Sequence, residues 1–216
     1  MAFDDWLRQV FDHPVADPAW HWDVEADTSE PAPPDCVAYL TRLFEETESA
    51  FAPYSDAQIN QGLWYLVSGS CSNYAFSLIE PEVAWPQRRR GLRAMATLFE
   101  RLFARRCSEH LLHRDEAGAG PLNEVCYMWW DAFPAHGRPT EPAYAAVDVE
   151  VLAVMKRALA LGSLACQESA LHGLGHWRLH YPGVVEQTID EFLARAGGIR
   201  QELREYAEYA RLGYVQ

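Results

Sequence analysis

Apolar residues recur at spacings of three and four along most of this chain, while the strict alternation of a half-buried strand is almost absent. Phe3, Trp6, Leu7, Val10 and Phe11 form one apolar stripe, which predicts an amphipathic helix ended by His13-Pro14. Residues 14–34 hold five prolines and no sustained stripe; they read as an ordered loop pinned by Trp20 and Trp22. Asp35 is placed to cap a helix with Val37, Leu40, Leu43 and Phe44 inside. Ser55 caps the next, with Ile59, Leu63, Leu66 and Val67 inside, and Ser68-Gly69-Ser70 breaks it. After a short apolar stretch from Tyr74 to Ile79, Trp85-Pro86 starts the longest periodic run. Leu92, Met95, Phe99 and Leu102 are its seam, and the segment from Ala117 to Pro121 stops it.

Pro121 suits the first turn of a helix carrying Val125, Met128, Trp129 and Phe133. Residues 134–143 form an internal loop. Asp148 is the expected cap of a helix with Val151, Val154, Met155, Ala158 and Leu159 inside, and Ser163 caps another that reaches Tyr181-Pro182. Pro182 begins a helix with Val185, Ile189, Phe192 and Leu193 on its inner face. Beyond Gly197-Gly198, the positions Ile199, Leu203, Tyr206 and Ala210 mark the last one. The pattern predicts an all-α fold of about eight or nine helices in antiparallel hairpins, arranged as an α-solenoid or an irregular bundle.

Composition agrees with a globular protein: 49% of the 216 residues are hydrophobic and 23% charged. Surface scaling gives roughly 10,000 Å² folded against roughly 35,500 Å² unfolded. One domain spanning 1–216 can therefore be held by its core without a disulfide or a metal. Thirty-one Asp and Glu face eighteen Lys and Arg, a net charge of −13, which argues against nucleic acid as a partner. The amino terminus lacks a basic start and an apolar run, and no segment is long and apolar enough to span a bilayer. A cytoplasmic, bacterial protein without membrane contact is expected. Cys36, Cys71, Cys107, Cys126 and Cys166 are scattered, make no Cys-x-x-Cys pair and read as small apolar residues of a reducing compartment.

The stretch Ala165-Cys-Gln-Glu-Ser-Ala-Leu-His-Gly-Leu-Gly-His176, followed by Pro182-Gly-Val-Val-Glu-Gln-Thr-Ile-Asp-Glu-Phe-Leu193, resembles a HEAT repeat unit. The Ala-Leu-x-x-Leu-Gly helix and the Val-x-x-x-Ile-x-x-Phe-Leu helix carry the likeness, over about thirty residues and with no regular period elsewhere. The resemblance implies a helical scaffold that binds another macromolecule, and it implies no chemistry.

The sharpest chemical feature lies on the same helix: Glu168, His172, His176 and His180 follow at intervals of four and drift slowly around one face. Two His at i and i+4 match helical zinc sites, and His110 and His113 beside Glu109 offer further ligands. Gly173 stands where the His-Glu-x-x-His proteases need their Glu, which excludes that family. The bland alternative makes these histidines the flank of a helix contact, with Gly173 and Gly175 admitting a close neighbour. Glu124 and Asp131 bracket Trp129-Trp130, with His136 following, as a second candidate pocket. The aromatic excess adds Trp64 and Trp177 to Trp129, Trp130 and His136 as candidate binding residues. Arg88, Arg89, Arg90, Arg93, Arg101, Arg105 and Arg106 make one basic stretch, expected to pair with the acidic helices.

The leading expectation is a binding module without catalysis or cofactor, taking a basic protein partner in the manner of an immunity-type inhibitor. The alternative is a zinc-dependent hydrolase or metal-binding protein that uses the Glu168, His172, His176 and His180 face.

Overall fold

Proline sets where many of the helices begin, because its fixed φ suits a first turn and its missing N–H is unpaired there in any case. In the computed structural model, which describes residues 1–26, 28–195 and 197–215, it occupies the first turn of Pro33–Glu45, Trp85–Leu98, Pro121–Tyr127 and Pro142–Leu159. Twelve α-helices and no strand occur among the described residues. They are α1 Phe3–Phe11, α2 Pro33–Glu45, α3 Thr47–Phe51, α4 Asp56–Val67, α5 Tyr74–Ile79 and α6 Trp85–Leu98. A π-helical turn, Phe99–Phe103, and Ala104–Arg106 prolong α6. The rest are α7 Pro121–Tyr127, α8 Trp129–Ala132, α9 Pro142–Leu159, α10 Leu164–Trp177, α11 Pro182–Arg195 and α12 Gln201–Leu212.

The all-α expectation holds, and several boundaries move for identifiable reasons. Ser55 caps α4 in a full capping box with Gln58, and the Ser163 side chain accepts from Cys166 N–H at the start of α10. Asp35 is not a cap: Pro33 opens α2 two residues earlier. Asp148 is not one either, because Pro142 starts α9 and leaves Asp148 buried inside it, accepting from Tyr181 Oη at 2.7 Å and from Arg138 N–H at 2.5 Å. The helix expected from Pro121 breaks at Met128, which leaves the helical region (φ −83°, ψ 6°) and sets α8 at a new angle. α10 ends at Trp177, so His180 lies beyond it.

α10 is the pivot of the packing. Eleven of its fourteen residues are buried, and it touches α7, α8, α9, α11 and α12 as well as the extension of α6. On the other side of α6 lies α2, their contact being the most extensive in the molecule. One continuous apolar core takes residues from α1 through α12. The folded surface of 10,094 Å² equals what the scaling predicts for a globular chain of this mass, where an extended arc would expose more. The arrangement is compatible with a helical repeat, although α10 packs more extensively on α9 and α12 than on α11. No helix among the described residues is long and apolar enough to cross a membrane. All five cysteines are free, and Cys36, Cys126 and Cys166 are buried.

The arginine stretch is consumed internally and at rims. Arg88 is buried and donates to the carbonyls of Val83 and Ile79, closing the turn ahead of α6. Arg89 and Arg93 converge on Glu150 at 2.6 and 2.7 Å, Arg90 forks onto Glu45, Arg101 and Arg105 share Glu48, and Arg106 holds Asp56 at 2.6 Å. Glu150 is buried; the other pairs are more exposed and add little stability each. Their larger effect is on the field: the positive stripe is neutralised, and the excess of carboxylates remains.

Candidate metal centre

His172 is completely buried on α10, an unusual place for an imidazole, and each of its nitrogens has an assigned partner. Nδ1 lies 2.6 Å from the hydroxyl of Tyr206 on α12. Nε2 lies 2.8 Å from Asp131 Oδ2 on α8 and 3.2 Å from His176 Nε2, one turn further along α10. His176 Nε2 is in turn 3.0 Å from Asp131 Oδ1. Two imidazoles and one carboxylate therefore aim at one point, and the three donor atoms lie within 4.8 Å of one another. α8 makes this possible. The break at Met128 turns Asp131 toward α10, while Trp129 and Trp130 go into the core on either side.

The spacing suits a transition metal. Ligands about 2.0–2.1 Å from a zinc ion lie about 3.3 Å apart at the tetrahedral angle and about 2.9 Å apart at a right angle; the 3.0 and 3.2 Å separations fall within that interval, and the 2.8 Å from His172 to the other Asp131 oxygen lies just below it. His172 is sealed, whereas the side chains of His176 and Asp131 are 45% and 28% exposed, so one side of the centre opens to solvent. The outer layer is polar as well. The Tyr206 hydroxyl faces that of Tyr127 at 3.3 Å, the Tyr127 ring packs 4.4 Å from His172, and His113 stacks on Tyr206 at 4.0 Å. Burial raises the pKa of both phenols, that of Tyr127 to about 12, so both stay neutral. A neutral phenol both donates and accepts, so Tyr206 can give its proton to Nδ1 or take one from it. The latter leaves Nε2 bare for a metal.

Of the four residues on the expected ladder, only His172 and His176 belong to this cluster. Glu168 is buried and turned the other way, holding His113 through Nδ1 at 2.6 Å and the backbone N–H at 2.9 Å. His180 sits in the turn after α10, against Gly137. The ladder divides because each step of four residues turns about 40° past a full turn, so Glu168 and His176, two steps apart, are offset by about 80° and meet different neighbours. His110 is engaged with Ser108, at 2.9 Å. His136 keeps an exposed face but is partly desolvated by its neighbours; that desolvation and then the charge of Arg138 lower its pKa, while Asp131 acts to raise it. Trp129, Trp130 and Trp177 are buried core residues, and Trp64 lines a cavity. Tyr206 and Tyr127 escaped the sequence reading because they occupy ordinary positions on apolar helix faces.

The centre makes stability depend on pH. Burial works against the Asp131 carboxylate, but hydrogen bonds from His172 and His176 hold it well below the usual range. His176 is raised by its bond to Asp131, against burial. A depressed carboxylate contributes above its unfolded value of about 3.9 and loses that contribution as pH falls; a raised His contributes below about 6.5 and loses it as pH rises. Their ion pair is thus strongest between about pH 4 and 6.5. His21 and His136, whose pKa values are lowered chiefly by burial, act with the opposite sign. The expected result, in chelator, is that the melting temperature of the wild type minus that of His176→Gln falls from pH 6 to pH 8.5. A difference that stays flat would contradict this account of the pair.

Comparison with known protein families, with curated proteins and with solved structures finds no match to this chain.

Proposed function

We propose that this protein binds a zinc-class divalent metal ion at Asp131, His172 and His176 and uses it in hydrolytic chemistry. The observation that carries the reading is the convergence of three donors from α8 and α10 with one side open. Three protein ligands with free coordination positions are the pattern of catalytic metal sites, in which the ion lowers the pKa of a bound water. Two nitrogens and one oxygen suit zinc and its neighbours rather than calcium or magnesium. His136 and His180 stand on the exposed side, in reach of the field of the centre.

Untagged protein is expected to carry about one metal ion per chain by element analysis, with Asp131→Ala and His176→Ala losing it and Glu168→Gln and His180→Ala keeping it. Excess metal stabilises whatever binds it only when folded, by about 2.7 kcal/mol at a hundred times Kd. Absence of metal, with melting indifferent to zinc, cobalt and chelator, would refute the proposal.

A second reading has one observation in its favour. Because the arginines of residues 88 to 106 are spent on Glu45, Glu48, Asp56 and Glu150, the net charge of −13 is not offset by a free basic face there. A basic protein partner would be steered to such a surface, and an immunity-type inhibitor is one protein of that kind. The HEAT-like character of residues 165–193, now α10 and α11, belongs to this reading. Pull-down of a basic protein, with an association rate that falls steeply with salt, supports it; rates indifferent to salt count against it.

A further inference from the structure

A cavity of about 510 Å³, within the range of small-ligand sites, shares no lining residue with the Asp131 centre. It lies between the loop before α2, α4 and α7, with Asp17, His21, Trp22, Asn60, Trp64 and Glu124 in its wall. Trp22 is 56% exposed, unusual for so large an apolar side chain, yet its base is firm. It ends a 3₁₀ turn, Trp20–Trp22, in which Trp20 stacks on His13 at 3.9 Å and His21 packs against Tyr65. The indole is therefore presented by an anchored turn.

The charged side chains of the wall, Asp17 and Glu124, are both acidic, and indole, amide, hydroxyl and thiol groups complete it. Asn60 gives its amide N–H to Glu124 Oε2 at 3.4 Å, which fixes the other end of the amide as a carbonyl. That carbonyl oxygen is buried and has no protein partner, and His21 Nδ1 is in the same position. Asp17 and Glu124 add two carboxylates, and no Lys or Arg lines the cavity. Burial lowers the pKa of His21, so its ring does not offset them. Two carboxylates beside two indoles, with no cationic side chain among the described lining residues, select a ligand that carries positive charge and has a flat face.

We propose that this cavity binds a guanidinium group. Its five N–H groups all donate, its plane stacks on Trp22 or Trp64, and its charge meets Glu124 and Asp17. The group has two sources, a free guanidinium compound or the arginine of a basic partner, and both have the same chemistry at the site.

Calorimetric titration with arginine amide, with citrulline amide and with an arginine-bearing peptide tests the proposal, in chelator so that the outcome is independent of the metal centre. Arginine amide should bind saturably, and citrulline amide, of the same shape without the charge, should not. Trp22→Ala should weaken binding about tenfold while leaving the melting temperature unchanged. If that variant melts early, Glu124→Gln takes its place; it removes an exposed charge and should both weaken binding and flatten its salt dependence. A peptide far tighter than the amide assigns the site to a partner's side chain, and equal affinities assign it to a small molecule. Equal binding of citrulline, no saturable binding, or wild-type affinity in Trp22→Ala or its Glu124→Gln substitute overturns the proposal.

Discussion

His172→Ala is expected to lower the unfolding free energy by about 3–4 kcal/mol, a large share of what a domain of this size possesses. The imidazole fills the space between Tyr127, Tyr206 and His176 at zero exposure, so truncation leaves a cavity that the packed rings cannot close. It also leaves the buried Tyr206 hydroxyl with Tyr127 as its remaining assigned partner, and removes one of the two histidines that stabilise the Asp131 carboxylate. At about 2–4 °C per kcal/mol for a chain of this length, the melting temperature should fall by roughly 6–16 °C. His176→Ala removes the other histidine of the proposed metal site, 45% exposed, and should cost no more than about 1 kcal/mol. The two variants together separate ligation from packing: both should lose metal, and only the first should lose much stability without it. Equal melting of the two in chelator would show that His172 does not hold α8, α10 and α12 together.

Gly173→Ala should also destabilise, although alanine is the better helix former by about 1 kcal/mol. A Cβ at position 173 would come within 2.6 Å of the Trp130 ring and 2.9 Å of its Cβ. That indole has nowhere to go. It is 3% exposed and stacks on Phe99 with the planes 8° apart, so the strain passes into the π-helical turn that prolongs α6. Overpacking of this kind costs about 1–3 kcal/mol, and contact through Trp Cβ, close to the backbone, places this site at the upper end. A net loss of about 2 kcal/mol is expected in urea unfolding, along with weaker metal binding, because Trp130 adjoins Asp131. Gly183 in the first turn of α11 supplies the control. Nothing lies within 4 Å of its added Cβ, and Gly183→Ala should leave stability unchanged or raise it by up to about 1 kcal/mol. A Gly173→Ala protein as stable as the wild type would show that α10 and α8 are not in the close contact described.

Much of the fold is local and therefore readable. The stripe of α1, the Ser55 and Ser163 caps and the helix starts at Pro86, Pro121 and Pro182 all act within a few residues, and each is found as expected. Errors fall where two local signals compete: Asp35 and Asp148 are good caps, but Pro33 and Pro142 stand earlier in the chain and start the helices first. Half of the centre was visible too, since His172 and His176 are one turn apart on any helix. Asp131 was noticed as the neighbour of Trp129-Trp130 and not as the partner of those histidines, because 41 residues separate it from His172.

By itself, then, the sequence determined the all-helical class, most helix starts, the overall acidity and one pair of histidines, since periodicity, capping and composition are properties of neighbouring residues. Tertiary structure alone decided the rest. It turned α8 at Met128 to bring Asp131 to the pair, gave Glu168 to His113, buried three of the four candidate tryptophans and neutralised the arginine stripe. Which groups meet across helices depends on crossing angles and on the space that residues such as Gly173 leave open, and spacing along one chain carries no record of either.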